Sequence, residues 1–380
     1  MLDHQYIKKL AADAGFDLCG LAPCRHLVEN ESMLRAWLGK GYQSSLAYME
    51  RNVEKRADPR KLVEGARTAV VCAVSYKNRA GEGYPPGHRT KVASYACAAD
   101  YHTTIKGMLG RMLDALCASR PDLSGRAFVD TAPLLEKQLA VEAGLGWIGR
   151  QSLLVTPRFG TYVLLGELLL TDDADAYDPP FEGSRCGRCH NCIESCPTGA
   201  IVAPKVIDTG RCISCHTIEK EPTEGIGLDG WIFGCDRCQS CCPHNQKAPM
   251  HANRAFDPVF DPLTMDAAAW MALDETEFEA RMGATPLTRS GLAANDIACC
   301  VVATLSAPTA TPSIACRVQA ALGLPENRPA FDVNAACSGF IYAAAAAHGL
   351  LSTQGGRYAL VIGCEALSRM VDQTDRTTCV

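Results

Sequence analysis

Eight cysteines near the middle of the chain have a spacing suited to metal chemistry. They form two sets, and a proline, Pro197 or Pro243, follows the last cysteine of each set. The first set has the spacing C-x2-C-x2-C-x3-C, in which short turns bring several thiolates together, and thiolate sulfur is the ligand of iron–sulfur clusters. Two such sets are typical of two [4Fe–4S] clusters. The sets are Cys186, Cys189, Cys192 and Cys196, then Cys212, Cys235, Cys238 and Cys242.

In doubled motifs of this kind, the fourth cysteine of each run ligates the other cluster. The spacing therefore predicts one cluster on Cys186, Cys189, Cys192 and Cys242, and a second on Cys196, Cys212, Cys235 and Cys238. Zinc is the alternative, because paired C-x2-C turns also bind zinc. Two cysteine–proline closures with crossed spacing favour the iron–sulfur interpretation.

Length and composition restrict the class of protein. The chain has 380 residues, 21 cysteines and a formal net charge of −5. That length is enough for two or three domains. No apolar run reaches the roughly 18 residues of a membrane span, and the N-terminal segment has the pattern of an amphipathic helix, not of a signal peptide. We therefore expect a cytoplasmic protein with reduced cysteines and no membrane contact. The mild acidity gives no support for broad nucleic-acid binding.

Four segments with different patterns follow one another along the chain. Residues 1–180 alternate helix and strand signals and predict an α/β domain, and residues 181–246 form a loop-rich module with two clusters. Residues 247–290 carry two short helical patterns, and the alanine-rich residues 291–380 alternate strand and helix. The predicted elements are helices at Asp3–Gly15, Tyr101–Ser119, Leu134–Ala143, Met265–Leu273, Glu275–Met282, Ser313–Leu322 and Ser338–Leu351, and strands at Ala69–Tyr76, Ala127–Val129, Ser152–Val155, Tyr162–Leu170, Ile297–Ala303, Ala330–Val333 and Ala359–Gly363.

Long ordered blocks over about residues 1–290 resemble the epoxyqueuosine reductase family. The block VDTAPLLEKQLAVEAGLGWIGRQSLLVTPRFGTYVLLGELLLT (Val129–Thr171) carries most of the resemblance, with SYACAADYH (Ser94–His102), Met49–Thr68 and the cluster motifs. The resemblance implies reduction of the epoxide of epoxyqueuosine to queuosine at the wobble position of tRNA. It implies two [4Fe–4S] clusters and cobalamin as cofactors, in a cytoplasmic enzyme. We expect a monomer whose partners are tRNA and an external electron donor of the flavodoxin or ferredoxin type.

Asp130 matches the proposed general acid of that family. For this role we expect its carboxyl to be partly desolvated, with a pKa raised toward the working pH. The alternative is that Asp130 caps the helix predicted at Leu134–Ala143.

Four further residues are candidates for the cobalamin pocket on the same resemblance: Cys97, Arg56, Lys137 and Ser152. Taken alone, Cys97 is typical of a buried core thiol, and the other three of a solvated face or a capping hydroxyl. His102 completes a D-Y-H sequence that resembles the start of the D-x-H-x-x-G motif of cobalamin-dependent mutases. Ile105 stands where that motif needs glycine, so we expect a base-off cofactor without a histidine ligand.

Three residues of the cluster segment depart from the family pattern. Cys215 replaces a common tyrosine, Cys241 directly precedes a cluster ligand, and His244 replaces a tryptophan. Both extra thiols are possible competitors as ligands. The crossed assignment already completes both clusters without them.

The last ninety residues resemble the middle of a 3-oxoacyl-acyl carrier protein synthase III, a condensing enzyme of thiolase fold. Cys337 in AACSGF matches its acyl-accepting nucleophile, at a strand-to-helix junction that favours a thiolate. This predicts a partial thiolase-like α/β segment. Only one histidine, His348, and no asparagine follow Cys337, so we interpret Cys337 as a vestigial nucleophile. The segment is then the product of a fusion or assembly accident, the alternative being a bifunctional enzyme.

Two other classes of protein remain as alternatives for the first 290 residues. Reductive dehalogenases share the plan of a corrinoid with two clusters; they commonly begin with a twin-arginine leader, which this sequence does not show. A ferredoxin-like electron carrier explains the clusters but does not explain the domain formed by the first 180 residues.

We predict that the condensing-enzyme segment is inactive. Carbon–carbon bond formation needs an oxyanion site and partner side chains besides an activated thiol, and the sequence after Cys337 lacks the asparagine. The full chain should show no malonyl-dependent condensation, and truncation at Gly291 should improve solubility without lowering cobalamin binding. Condensation that disappears in Cys337→Ser would contradict this prediction.

Overall fold

The chain divides into two compact units, Met1–Thr288 and Arg289–Val380. The computed structural model describes residues 1–219, 225–288, 297–304, 311, 313–321, 324–325, 327–334, 339–354 and 358–363. The division falls close to the boundary predicted at 290/291. Boundaries at 180 and 246 lie inside the first unit and stay predictions.

The first unit mixes helices and strands throughout. Its strands are β1 Leu18–Pro23, β2 Thr68–Ser75, β3 Lys91–Val92, β4 Gly125–Phe128, β5 Trp147–Ile148, β6 Leu154–Val155, β7 Val163–Leu170, β8 Ile201–Ala203, β9 Val206–Ile207 and β10 Trp231–Phe233. Its α-helices are α1 His4–Ala14, α2 Val28–Gly39, α3 Val53–Ala57, α4 Tyr101–Ser119, α5 Glu136–Glu142, α6 Asn191–Glu194, α7 Arg237–Ser240, α8 Pro243–Gln246, α9 Ala267–Met271 and α10 Glu275–Met282. Short 3₁₀ turns occur at Ala47–Met49, Pro59–Lys61, Arg79–Glu82, Ser94–Cys97, Thr209–Arg211, Arg254–Phe256 and Pro286–Thr288, and a π-helical turn at Cys215–Glu219.

A four-stranded sheet in the order β1-β2-β7-β4 forms the centre of this unit. All three pairings are antiparallel. The prediction of an α/β domain is therefore correct for the mixture of elements but not for the parallel sheet that the class usually contains. Apolar patterns mark where strands lie and carry no direct signal for the direction of pairing.

The sheet is covered on both faces. Every residue of β2 is buried, and alternate side chains enter two different apolar clusters, as the two-residue period of a strand requires. On one face α1 and α4 pack, and α4 contributes the predicted stripe Ile105, Met108, Leu109, Met112 and Leu116. Helix α5 packs on the other face. The site described below lies where the ends of β4, α4 and α5 meet.

Several predicted elements are confirmed within one or two residues, including α1, α4, β2 and β7. Helix α1 begins after Asp3, whose carboxylate accepts the amide of Tyr6, and ends at Gly15 with a φ of 100°. Strand β1 and helix α2 were not predicted. Only Leu34 of α2 is buried, so the helix carries almost no apolar stripe.

The cluster segment is built from short turns and small strand pairs, and one of these pairs joins it to the rest of the unit. Helices α6, α7 and α8 have four residues each, and β8 pairs with β9. Strand β10 pairs in parallel with β3, which attaches the cluster segment to the residues that precede α4.

In the second unit, the described residues contain strands β11 Ile297–Ala303, β12 Ala330–Val333 and β13 Tyr358–Gly363, with helices α11 Ile314–Ala321 and α12 Gly339–Gln354. The strands form a parallel sheet in the order β12-β11-β13. Alternate residues of β11 pack toward α12 on one face and α11 on the other. The predicted alternation of strand and helix is confirmed, whereas Cys337 lies outside the described residues.

No helix among the described residues has the length and apolar character needed to cross a membrane.

Gly20 in β1 allows α5 to pack closely on the sheet. A Cβ atom at this position would lie 2.0 Å from the carbonyl oxygen of Ala143, just after α5. We predict that Gly20→Ala lowers the free energy of unfolding by about 1–3 kcal/mol, because backbone atoms must move apart. Urea unfolding followed by circular dichroism measures this effect. The control is Gly110→Ala in α4, where nothing lies within 4 Å, and which should stabilise by about 0.5–1 kcal/mol. Equal effects of the two substitutions would contradict the close approach.

Candidate functional site

Several cysteines of each predicted crossed set lie close enough to influence one another electrostatically. Burial, with smaller contributions from the Asp236 carboxyl and the thiols of Cys212 and Cys196, raises the pKa of Cys235 to about 12. The pKa of Cys238 is raised well above its ordinary value by burial, and then by Cys235 and Cys212. The members of the set predicted for the second cluster therefore lie close enough to influence one another.

The set predicted for the first cluster is grouped in the same way. Burial raises the pKa of Cys192 to about 11, with smaller contributions from Cys241, Cys242 and Cys186. The amide of Cys189 donates to the carbonyl of Cys186 at 3.0 Å. Cys242 thus lies beside the first run, although it follows Cys196 by 46 residues. Among the described residues, no three side chains of His, Cys, Asp or Glu converge closely enough to hold a single metal ion.

Two N–H groups donate to candidate ligand sulfurs. The indole Nε1 of Trp147 lies 3.4 Å from Cys186 Sγ, and the amide of Ala200 lies 3.2 Å from Cys196 Sγ. Burial raises the pKa of both thiols, but the hydrogen bonds outweigh it and the net pKa is lowered. Such donors stabilise the thiolate and tune the reduction potential of a cluster. Trp147 was not singled out from the sequence, although it stands in the GWIG block.

The two extra cysteines occupy different places. Cys241 influences the pKa values of Cys192, Cys242 and Cys238, so it lies between the two groups of thiols. Cys215 is buried in the π-helical turn. The pKa of Tyr48 is raised by burial first, and then by Glu219, Asp130 and Cys215, so Cys215 and Asp130 both lie near Tyr48. The ring of His244 packs edge-on against Trp147, with centroids 5.0 Å apart.

Asp130 follows the end of β4 in a left-handed backbone conformation, with a φ of 52°. This conformation is uncommon for a residue other than glycine and is typical of functional sites. Its Oδ2 atom accepts a hydrogen bond from the hydroxyl of Tyr101 at 2.6 Å and lies 3.1 Å from Nε2 of His102. The side chain remains 57% exposed. The carboxyl is therefore anchored by the first turn of α4 and open on its outer side.

The expected rise in the pKa of Asp130 is wrong for this structure. Burial does raise it, but the hydrogen bonds from His102 and Tyr101 outweigh burial, so the pKa lies below its usual range. The imidazole of His102 also bonds Asp100, 2.7 Å from its Nδ1 atom. Partial burial lowers the pKa of His102, yet its bonds to Asp130 and Asp100 produce a net rise. These opposite shifts favour the proton on the histidine side of the pair.

The helix-cap alternative for Asp130 is also wrong. Helix α5 begins at Glu136, its N-cap position is Leu135, and no side chain makes a cap hydrogen bond there. The carboxylate of Asp130 is turned toward α4 instead.

Three of the four candidate pocket residues surround the start of α5. The carbonyl of Arg56 accepts the amide of Leu135 at 3.2 Å, and its guanidinium donates to the carbonyl of Tyr48 at 3.0 Å. The Nζ atom of Lys137 donates to the carbonyl of Ser152 at 2.8 Å, and the hydroxyl of Ser152 donates to the carbonyl of Lys205 at 2.6 Å. These contacts connect the Asp130 loop with the cluster segment.

Cys97 lies apart from that group. It is 0% exposed and packs in an apolar cluster with Ala80, Val92 and Ala96. Its thiol donates to the carbonyl of Ala93 at 3.6 Å, and burial raises its pKa. As the structure stands, Cys97 presents no surface to a ligand.

A pair of carboxyl groups under the Asp130 loop was not predicted from the sequence. Glu167 lies in β7 and is 0% exposed, and Glu136 opens α5 beside it. Burial raises the pKa of both groups, to about 7 for Glu136 and well above its ordinary value for Glu167. The available signal was the single charged residue within the apolar strand VLLGELLL.

Comparison with known proteins relates parts of this chain to known families. Family models match in three places: epoxyqueuosine reductase QueG, DUF1730 at residues 56–131, the 4Fe-4S double cluster binding domain at residues 185–245, and 3-oxoacyl-[acyl-carrier-protein] synthase III at residues 331–380. The epoxyqueuosine reductase of Cyclobacterium marinum is 40% identical over 284 residues, 72% of this chain and 88% of that protein. That of Pseudomonas aeruginosa is 36% identical over 294 residues, 76% of this chain and 81% of that protein.

Solved structures of epoxyqueuosine reductases have the same fold over three quarters of this chain. One, determined with an epoxyqueuosine-modified stem loop of tyrosine tRNA, has a TM-score of 0.64 at 26% identity and covers 75% of this chain and 79% of its own. Another, from Bacillus subtilis, has its aspartate catalytic loop swung out of the active site; its TM-score is 0.63 at 25% identity, with the same coverage. The thiol groups and the fold define an iron–sulfur oxidoreductase. The chain belongs to the epoxyqueuosine reductase family, and its C-terminal residues match the 3-oxoacyl-[acyl-carrier-protein] synthase III family.

We predict that Cys242 serves the cluster of the first run. Reconstituted protein should hold about eight irons per chain, and Cys242→Ala should lose about half of them because one cluster lacks a ligand. Cys242→Ala combined with Cys189→Ala should lose no more iron than the single variant, since both act on one cluster. Combination with Cys235→Ala should remove nearly all iron, because both clusters are then affected.

Iron analysis and the charge-transfer absorption of the clusters measure these outcomes. The matched control is Cys241→Ser, next to Cys242, and Cys215→Ser is a second; both should keep the full iron content. The reverse pattern in the two double variants would contradict the crossed assignment.

Proposed function

We propose that this chain reduces epoxyqueuosine to queuosine in tRNA, with two [4Fe–4S] clusters and cobalamin as cofactors. The observation that carries the proposal is the open, anchored carboxyl of Asp130, in a chain of this family that also carries the double cluster motif. The tRNA stem loop bound by a solved relative supports tRNA as the substrate. A cytoplasmic monomer and a flavodoxin- or ferredoxin-type donor complete the proposal.

The reaction needs electrons that amino-acid side chains do not supply. Conversion of an epoxide to an alkene and water consumes two electrons and two protons. The two crossed sets of thiols would hold the clusters, and these would supply one-electron transfer from the external donor. When bound, cobalamin supplies a strongly reducing cobalt centre next to the substrate.

The residues near the start of α5 suit a large polar cofactor. The Nε atom of Arg56 is buried without a hydrogen-bond partner among the described residues, and the corrin periphery offers many carbonyl acceptors. Lys137 and Ser152 are polar groups on the same side of α5. We assign these three residues to the pocket. We retain Cys97 as a fourth candidate, for which the side chains around it have to move.

Asp130 acts as the proton donor to the departing oxygen. A proton reaches it from His102, whose Nε2 atom lies 3.1 Å from Oδ2. When substrate covers the exposed side of the carboxyl, water is removed and the pKa of Asp130 rises. This transfers the proton from imidazolium to carboxylate at the moment when the epoxide is in place. The second proton comes from solvent as the product leaves.

The loop of Asp130 has room to move in this mechanism. In the relative from Bacillus subtilis the catalytic loop is swung out of the active site. We propose the same movement here, with the hydrogen bonds from Tyr101 and His102 broken in the open position. A catalytic loop of this kind is not expected in a simple electron carrier. Binding of cobalamin after reconstitution would distinguish an enzyme from a carrier.

We predict that Asp130→Asn reduces turnover by about 10²–10⁴-fold, because an amide keeps the shape but does not supply the proton. The measurement is queuosine formation in epoxyqueuosine-containing tRNA by anaerobically reconstituted enzyme. Iron content and cobalamin absorption should match the unsubstituted chain. The control is Asp122→Asn, at an exposed turn, with unchanged turnover expected. Near-normal turnover by Asp130→Asn would contradict its role as the donor.

A further inference from the structure

Glu167 is a carboxyl group in an apolar layer without a donor to satisfy it. Its register partners in the sheet are Val71 of β2 and Phe128 of β4, and all three side chains face α5. It is completely buried, and neither of its carboxyl oxygens accepts a hydrogen bond from a donor in the described part of the chain. An ionised carboxylate in such a place is very costly, so its protonated form is favoured.

The group nearest to Glu167 is another carboxyl. Glu136 lies in hydrogen-bond contact with it. Two carboxylates have no proton between them, so this contact is a hydrogen bond only when one of the two is protonated. Carboxyl groups that share a site ionise one at a time because the second charge is repelled by the first.

Glu136 connects this pair to the reactive loop. Its Oε1 atom accepts the backbone N–H of Asp130 at 2.5 Å. The bond holds Asp130 in its left-handed conformation, which otherwise costs of order 1–3 kcal/mol. A protonated Glu167 would donate to the other side of the neighbouring Glu136 carboxylate. Contacts therefore run without a break from the middle of the sheet to the loop, through Glu167, Glu136 and the backbone N–H of Asp130.

We propose that Glu136 and Glu167 share one proton and act as positioning residues, which hold the Asp130 loop with its carboxyl presented to the substrate. This inference rests on the proposed function of Asp130. Neither glutamate touches the substrate. The shared proton is kept throughout the reaction, and its loss leaves two negative charges that repel each other and release the loop.

The charged and titratable groups around the pair are few. Lys137 of α5 and Asp130 influence Glu136. Cys72 of β2 packs on the opposite face of the sheet, and its pKa is raised by burial, then by Cys19 of β1 and Glu167. Lys137 is directed to the carbonyl of Ser152 and makes no ion pair with either glutamate. Burial raises the pKa of both carboxyl groups. A raised acid pKa means that the shared proton is present at lower pH and is lost as pH rises. At alkaline pH the Asp130 loop should therefore no longer be held in place.

Two substitutions of Glu167 distinguish the shared proton from simple packing. Glu167→Gln keeps the shape and donates permanently to the Glu136 carboxylate. Glu167→Leu keeps the bulk without any donor. The control is Glu142→Gln, farther along α5. Each variant is prepared as the full reconstituted chain, and cluster absorption and circular dichroism confirm folding.

The first measurement is amide hydrogen exchange of the peptide that contains Asp130. Glu167→Leu should speed exchange at least about tenfold, whereas Glu167→Gln and the control should exchange like the unsubstituted chain. The second is the pH profile of turnover. The unsubstituted chain should lose activity at alkaline pH, Glu167→Gln should keep it there, and Glu167→Leu should be slow at every pH. The third is the infrared band of a protonated carboxyl, present in the unsubstituted chain and absent in Glu167→Gln.

Unchanged exchange in Glu167→Leu, or an alkaline loss of activity in Glu167→Gln equal to that of the unsubstituted chain, would overturn the proposal. If Glu167→Leu does not fold, the pH profile and infrared band of Glu167→Gln decide the matter. Exchange and infrared absorption do not depend on turnover. A failure of the proposed reaction is therefore distinguishable from a failure of the carboxyl pair.

Discussion

Convergence of cysteines from distant positions is the constraint on which the electron-transfer half of the molecule depends. The cluster segment has few buried apolar side chains, chiefly Ala200, Ile201, Ile213 and Trp231, and its helices are single turns. Such a segment gains much of its stability from ligation, as other small metal-binding modules do. Ligation by the predicted crossed sets would close the segment on itself, and the hydrogen bond from Trp147 to Cys186 Sγ connects it to the sheet domain. Cluster loading and the shape of the catalytic side are therefore linked.

The proton-transfer half depends on the meeting of three element ends. Strand β4 ends just before Asp130, α4 begins with Tyr101 and His102, and α5 begins at Glu136. Each end leaves polar groups that need hydrogen-bond partners. Here Glu136 accepts the backbone N–H of Asp130, and the Asp130 carboxylate is bonded by Tyr101 and His102. The result is a carboxyl that is accessible from outside, with His102 Nε2 3.1 Å from its Oδ2 atom and with a pKa held below its usual range by the hydrogen bonds from His102 and Tyr101, which outweigh burial.

The sequence predicted the parts of this arrangement that depend on local pattern. The stripe from Ile105 to Leu116 is a periodic signal that agrees with the structure, and the doubled cysteine spacing agrees with the match to a double cluster binding domain, whereas the crossed ligation stays a prediction. The charge state of Asp130 was predicted wrongly, because its hydrogen-bond donors are 28 and 29 residues away in the chain. Glu167 was overlooked for a related reason, since only the packing of α5 shows that its carboxyl is sealed beside Glu136. Strand direction likewise depends on long-range pairing, and no local pattern contains it.

The two units of the chain have separate apolar cores. Every residue assigned to the reductase, from Tyr48 to Cys242, lies within Met1–Thr288. The described residues of the second unit bury their own apolar side chains on both faces of a parallel sheet. Hydrophobic stabilisation is local to each such core. The geometry of the Asp130 site, with its buried carboxyl pair and its connection to the cysteine sets, is therefore specified by the first unit alone.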